Sequence, residues 1–72
     1  MERFYKKTIE ESMKNFYDSL SEKDKRRYAA IEALKLPHGG KKYIADVLDC
    51  DFKTIQQGLA ELNSEEELKK NE

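Results

Sequence analysis

The chain has 72 residues, of which 40% are charged and 38% are hydrophobic, and its formal net charge is −1. This length provides for one small domain and leaves no room for an enzyme cleft with several converging walls. We therefore expect no catalytic activity, no cofactor, no metal and no small-molecule substrate. No apolar run approaches the roughly 20 residues of a membrane span, and no signal peptide is visible. The single cysteine, Cys50, forms no internal disulfide, which is typical of a cytoplasmic protein.

Positive and negative charges are unevenly distributed along the chain. Residues 21–42 hold an excess of lysine and arginine, whereas residues 43–72 hold an excess of aspartate and glutamate. The basic middle favours contact with a polyanion such as DNA, and the slightly negative total weighs against it.

Apolar residues at helical spacing predict a first helix over about residues 3–17. The steps of three and four between them are those of one helix face, and charged side chains fill the opposite face. We expect the apolar face to be buried. Its residues are Tyr5, Ile9, Met13, Phe16 and Leu20.

A second helix is predicted to begin after Ser21 and to end before Pro37. Ser21 and Asp24 resemble a capping box, in which a side-chain oxygen accepts a hydrogen bond from the first turn. Pro37 and the two glycines after His38 stop the helix, and His38 is expected to be a turn residue because no second histidine or thiol lies near it. The residues expected to point inward are Tyr28, Ile31 and Leu34, with Ala29, Ala30 and Ala33 allowing close helix approach.

A short third helix is predicted over about residues 42–48, and a fourth over about residues 52–62. Asp49, Cys50 and Asp51 form the turn between them, and Asp51 is a good N-cap for the fourth helix. The residues expected to face inward are Ile44, Val47, Leu48, Ile55, Leu59 and Leu62.

Polar Asn63 and Ser64 break the apolar pattern, which predicts a domain over residues 1–64 and a charged tail or linker over residues 65–72. The fold class indicated by the whole pattern is all-α, a small bundle of about four helices that contains a helix-turn-helix.

The helix-turn-helix prediction rests on the spacing of small and apolar residues between Tyr43 and Leu59. Ala45 leaves room for a crossing helix, and Cys50 fills the corner of the turn. Many such turns carry glycine where this chain has Asp49, because the backbone there is left-handed, a conformation that aspartate tolerates. In this arrangement the second helix presents its outward residues to the major groove of DNA, with its N-terminal end nearest the bases.

The outward residues of the fourth helix and the start of the third helix form the predicted DNA-binding site. A glutamine amide pairs with adenine through two hydrogen bonds, a lysine reaches a phosphate or a guanine, and a threonine contacts a phosphate or a thymine methyl. Gly58 is expected to permit close approach to the DNA. Each polar residue alone is explained equally well as an ordinary exposed helix residue. The predicted DNA-binding residues are Lys41, Lys42, Phe52, Lys53, Thr54, Gln56 and Gln57.

Two features keep a second function open. The three aspartates around the turn repel phosphates. A cluster of basic residues at the start of the second helix is interpreted either as a phosphate clamp or, more simply, as a solvated helix face. The alternative function is a protein-interaction or homodimerisation module that uses the same helices, with the acidic turn and the apolar face of the first helix in the contact. The basic cluster consists of Lys23, Lys25, Arg26 and Arg27.

Three segments together suggest a family. They are Arg27-Tyr-Ala-Ala-Ile-Glu-Ala-Leu34 with His38-Gly39-Gly40, Tyr43-Ile-Ala-Asp-Val-Leu48, and Gly58-Leu-Ala-Glu-Leu62. Over about residues 15–62 the chain resembles the N-terminal region of bacterial insertion-sequence transposases with a Rhodopirellula-type DDE domain, although Pro37 and Asp49 stand where that pattern leads us to expect glycine. The resemblance implies a helix-turn-helix that recognises the terminal repeats of the element through residues 52–62. It also implies that the metal-binding carboxylates of the catalytic domain lie outside this chain.

Overall fold

Four helices joined by short turns make up the described part of the chain. The computed structural model describes residues 4–70, with side chains as far as Ser64. The predicted all-α bundle is confirmed, because no strand occurs within residues 4–70. None of the helices described there is long and apolar enough to cross a membrane. In chain order the helices are α1 (Lys7–Asp18), α2 (Glu22–Leu34), α3 (Gly40–Leu48) and α4 (Phe52–Lys70).

The core is centred on α3, which contacts each of the other three helices. Ile44 and Leu48 of α3 lie four residues apart on one helix face, and together with Ile55 of α4 they are fully buried. All three were expected to face inward, and this is confirmed. The buried residues packed around this centre include Met13, Tyr17, Ala29, Ala33 and Tyr43.

The face of α1 that packs on the core matches the predicted one at Met13 and differs from it at Ile9 and Phe16. Met13 and Tyr17 are buried, whereas Ile9 is 46% exposed and Phe16 is 52% exposed. Because α1 packs more extensively on α3 than on α2, the side of the helix that carries Ile9 and Phe16 faces the surface. The ring of Phe16 there contacts Tyr28 edge-on, with 5.1 Å between the ring centroids.

Tyr43 of α3 holds the segment that precedes α1. The Tyr43 hydroxyl donates a hydrogen bond to the Glu10 carboxylate and accepts one from the Tyr5 backbone N–H at 3.1 Å. The rings of Phe4 and Tyr5 pack against the Tyr43 ring at centroid distances of 5.0 and 6.1 Å. The helix itself begins at Lys7, later than predicted, and the predicted start at residue 3 lies outside the described residues.

The prediction for α2 was right about its small residues and wrong about Ile31 and Leu34. Ile31 is 44% exposed and Leu34 is 64% exposed, so neither belongs to the core. Tyr28 is half-buried at the edge of the core. Since α2 packs closely on both α3 and α4, its small side chains lie in the contact and its larger ones lie outside it. The buried residues are Ala29, Ala30 and Ala33, as expected.

The ends of α2 follow the predicted chemistry. The Ser21 hydroxyl accepts a hydrogen bond from the Asp24 backbone N–H at 3.3 Å, as a capping residue does. After Leu34 the chain turns through Pro37 and His38, and Gly39 adopts a left-handed φ of 92° before α3 begins. Glycine is the residue that takes this conformation without a steric cost.

α2 and α4 cross at Gly58, and the crossing leaves no space for a side chain there. A Cβ atom placed on Gly58 would lie 2.1 Å from the Arg26 carbonyl oxygen and 3.0 Å from the Ala30 Cβ. The prediction that Gly58 permits close approach to DNA is therefore wrong. Gly58 is buried against α2 and faces away from solvent.

α4 continues past its predicted end near Leu62 and runs to Lys70. Asn63 and Ser64 are exposed, so their polar side chains stay in water while their backbone continues the helix. The helix thus crosses the predicted boundary between a domain over residues 1–64 and a tail over residues 65–72, and that division stays a prediction. Residues 71–72 lie outside the described residues.

We expect Gly58→Ala to lower the free energy of unfolding by about 1–3 kcal/mol, because the new methyl group collides with the α2 backbone. Urea unfolding followed by circular dichroism measures the change. Gln57→Ala is the matched control, since it places the same residue on the exposed side of α4 and should change the free energy by less than about 0.5 kcal/mol. Equal stability of the two variants would contradict the assigned crossing.

Candidate nucleic-acid interface

The turn between α3 and α4 is fixed by two backbone hydrogen bonds. Asp49 has a left-handed backbone, with φ 54° and ψ 50°. Its N–H donates to the Asp46 carbonyl at 3.4 Å, and the Cys50 N–H donates to the Ala45 carbonyl at 3.0 Å. This is the Schellman pattern of helix termination, which usually has glycine at the left-handed position. The expected left-handed conformation at Asp49 is confirmed.

The first turn of α4 is capped by Asp51. Its carboxylate Oδ1 accepts a hydrogen bond from the Lys53 backbone N–H at 3.4 Å, and its carbonyl accepts one from the Thr54 N–H at 3.0 Å. Asp51 was expected as the N-cap, and this is confirmed. Its negative charge is therefore directed onto the positive end of the α4 dipole.

The exposed side of α4 is polar and almost uncharged. Ile55 and Gly58 define the buried side, and Leu59 and Leu62 are half-buried beside them. Over residues 52–64 the exposed side carries one lysine, two glutamines and no carboxylate, because Glu61 is turned toward α2. The exposed residues are Phe52, Lys53, Gln56, Gln57, Ala60, Asn63 and Ser64.

The predicted site residues lie at two places on the surface. Phe52, at 42% exposure, opens α4, and Lys53, Gln56 and Gln57 follow it on the exposed side. Thr54 is half-buried, unlike its exposed neighbours, and lies at the edge of the exposed side. The remaining two residues, Lys41 and Lys42, are exposed in the first turn of α3.

Three exposed residues of α4 were missed as site candidates. Ala60 follows Gln57 by three residues on the same side of the helix, and Asn63 and Ser64 extend that side further. The helical period counted from Lys53 would have found Ala60 and Ser64. The predicted helix end near Leu62 cut this pattern short.

Two arginines of the basic cluster form an internal ion pair with α4. The Arg26 guanidinium donates to the Glu61 carboxylate from Nη2 at 2.9 Å and from Nε at 3.2 Å, and Arg27 Nε lies 3.7 Å from Glu61 Oε1. About three quarters of each of these three side chains is covered. The hydrogen bond from Arg26, followed by the charges of both arginines, lowers the pKa of Glu61. These arginines therefore join α2 to α4.

The other two members of the cluster differ in exposure, since the Lys25 side chain is about three quarters covered. Lys25 lies 3.6 Å from the Glu22 carboxylate and 5.5 Å from the centroid of the Tyr17 ring. Lys23 is exposed. The four residues therefore do not lie together as a phosphate clamp.

The aspartates of the turn are partly compensated within the domain. Lys14 of α1 pairs with Asp18 at 2.8 Å, and this hydrogen bond, followed by smaller contributions that include the charge of Asp49, raises the pKa of Lys14. The negative charge of Asp49 is thus close enough to interact with the charge of Lys14. The carboxylate of Asp51 caps α4. Asp46, exposed on α3, is the third acidic residue near the turn.

Cys50 has the environment of a packing residue. It is half-buried at the edge of the core, and burial raises the pKa of its thiol. Burial and the neighbouring Cys50 thiol raise the pKa of Tyr17 to about 12. A thiol with a raised pKa stays protonated at neutral pH, whereas the thiolate is the nucleophile. Among the described residues, no group of histidine, cysteine and carboxylate side chains is arranged to hold a metal ion.

No family model, curated protein or solved structure matches the chain.

We expect the acid sensitivity of folding to depend on Glu61. Because the folded state lowers its pKa below the reference value of 4.5, the ion pair stabilises fully above pH 4.5, and this stabilisation is lost as the pH falls through the folded-state pKa. Glu61→Gln should have a lower free energy of unfolding at neutral pH and lose less of it below pH 4.5. Urea unfolding at a series of pH values measures both effects.

Glu11→Gln is the control for this experiment, because it removes an exposed carboxylate of α1. It should leave the pH profile close to that of the unchanged protein. Identical profiles for Glu61→Gln and the unchanged protein would show that the Arg26–Glu61 contact does not stabilise the fold.

Proposed function

We propose that this chain is a helix-turn-helix DNA-binding domain and that α4 is its recognition helix. The observation that carries the proposal is the exposed side of α4, which presents Lys53, Gln56 and Gln57 with no carboxylate over residues 52–64. In helix-turn-helix proteins the recognition helix lies in the major groove and its N-terminal residues contact base edges. Glutamine and lysine are among the side chains that recognise those edges.

The surroundings of α4 support the same function. The short turn at Asp49 joins α3 to α4, and it leaves the first turn of α4, with Lys53, exposed at the surface. Lys41 and Lys42 are exposed at the start of α3 and available to the DNA backbone on the same proposal. No comparable constellation among the described side chains supports catalysis.

The likeness to insertion-sequence transposases extends the proposal to a biological role. On this hypothesis the domain recognises DNA at the ends of a mobile element and positions a catalytic domain located outside this chain. The segments that carry the likeness include Tyr43–Leu48 and Gly58–Leu62, which lie in α3 and α4.

Titration of the isotope-labelled chain with a short DNA duplex tests the proposal by NMR. We expect backbone shifts at Lys41, Lys42 and residues 52–57, with dissociation constants on the order of 10⁻⁴ to 10⁻⁶ M for non-specific DNA at physiological salt and tighter binding at low salt. Lys53→Ala should weaken binding and reduce the slope of log affinity against log salt by about 1.

Lys7→Ala removes the same charge from α1 and should leave that slope unchanged, because Lys7 is exposed on a helix that contributes none of the proposed contact residues. The absence of any shift at low salt would refute a DNA-binding function of this chain.

A second function, homodimerisation through α1, is favoured by one observation. Ile9 and Phe16 lie seven residues apart on one side of α1 and are about half exposed. Sedimentation equilibrium distinguishes the two functions, because a dimer formed through this surface should dissociate in an Ile9→Ser, Phe16→Ser variant and persist in Lys53→Ala. A monomeric chain that binds DNA would exclude this alternative.

A further inference from the structure

The end of α2 and the second half of α4 form an apolar groove. Its lining residues are Leu34, Leu59, Ala60, Leu62 and Asn63. Leu34 projects into solvent with 64% of its surface exposed, whereas Leu59 and Leu62 are half-buried. The groove therefore combines a protruding leucine with a half-buried apolar surface beside it.

None of the described residues that line this groove is charged, although 40% of the chain is charged. Glu61, which lies among the lining residues along α4, is turned toward Arg26 of α2. Ile31 extends the apolar surface by one turn of α2 and is 44% exposed. The centre of a protein–protein interface is depleted of charge in the same way, whereas a DNA contact needs lysine or arginine for the phosphates. These features indicate a surface that contacts protein.

The same surface is suited to contact a second copy of itself. In a two-fold dimer the same patch occurs on both sides, so charges of one sign near the axis would face each other, and an uncharged patch avoids this repulsion. Leu34 of one copy can enter beside the half-buried leucines of the other, and symmetry repeats this contact. The Asn63 amide has both a donor and an acceptor, so it can pair with the same amide of the second copy.

The charges that follow the groove on its two helices are of opposite sign. Lys35 directly follows Leu34, and its side chain is 57% exposed while lying 3.3 Å from the Glu32 carboxylate. Along α4, positions 65–67 are three glutamates. When Leu34 of one copy contacts Leu62 of the other, the lysine next to it lies close to this acidic segment. Opposite charges at the edge of a contact favour association in that orientation.

We propose that the groove between α2 and α4 is a dimerisation site and that its occupant is a second copy of this chain. It is a different surface from the side of α1 that carries Ile9 and Phe16, and Leu34 is more exposed than either of them. The lining residues include none of the residues proposed to contact DNA, so this inference does not depend on the proposed function.

Sedimentation equilibrium of the full chain over a range of concentrations tests the inference. We expect a monomer–dimer equilibrium. Leu34→Asp removes two apolar side chains from the two-fold contact and adds two carboxylates, so the dissociation constant should rise at least about a hundredfold. Lys35→Glu should weaken the dimer by less, and its effect should decrease with added salt, because this charge acts at the edge of the contact.

Ile9→Asp is the matched control, because it introduces the same carboxylate at an exposed isoleucine of α1 and should leave the dissociation constant unchanged. Circular dichroism verifies that each variant is folded. Ala60→Glu tests the groove at an exposed position of α4 and should also dissociate the dimer. It decides the question if Leu34→Asp fails to fold.

A chain that remains monomeric at about 1 mM overturns the inference. A dimer that persists in Ala60→Glu overturns it as well, and a dimer that dissociates only in Ile9→Asp assigns the contact to α1. These outcomes are separable from those of the DNA titration. A monomer that binds DNA leaves the proposed function intact, and a dimer that binds no duplex at low salt leaves this inference intact.

Discussion

α2 and α4 approach each other so closely at Gly58 that the orientation of every other α4 residue follows from this contact. A Cβ at that position would collide with the Arg26 carbonyl, which fixes the rotation of α4 about its own axis. Glu61, three residues on, then meets Arg26 and Arg27, and Ile55, three residues before, enters the core. Lys53 and Gln57 consequently face away from the bundle.

The same contact explains how a chain with a slightly negative total charge presents a helix side that carries no carboxylate over residues 52–64. Glu61 lies in the middle of α4, where an exposed carboxylate would repel DNA phosphates. Its ion pair with Arg26 turns that charge toward α2. Asp51 is used in a comparable way, because its carboxylate accepts a hydrogen bond from the first turn of α4. The placement of each charge therefore matters more for this surface than the net charge.

Local chemistry made the starts of α2 and α4 and the turn at Asp49 predictable from sequence. Ser21 and Asp51 are capping residues by type, and Asp49 is among the few residues that tolerate a left-handed backbone. The exposed residues of the first two turns of α4 also followed from the spacing of Ile55 and Leu59. These features depend on neighbours within a few residues, which the sequence displays directly.

The rotations of α1 and α2 depend on long-range packing and were predicted incorrectly. Phe16 and Leu34 are strongly apolar at helical spacing, yet both are more than half exposed. A hydrophobic pattern ranks side chains by their transfer energy, whereas the closest helix contacts in this bundle select small side chains, as at Ala30 and Gly58. Gly58 was assigned to a contact with DNA for the same reason. A glycine in a helix indicates that another element approaches closely, but the sequence does not show which element that is. That element is α2, and its position leaves Lys53 and Gln57 on the side of α4 that is open to a ligand.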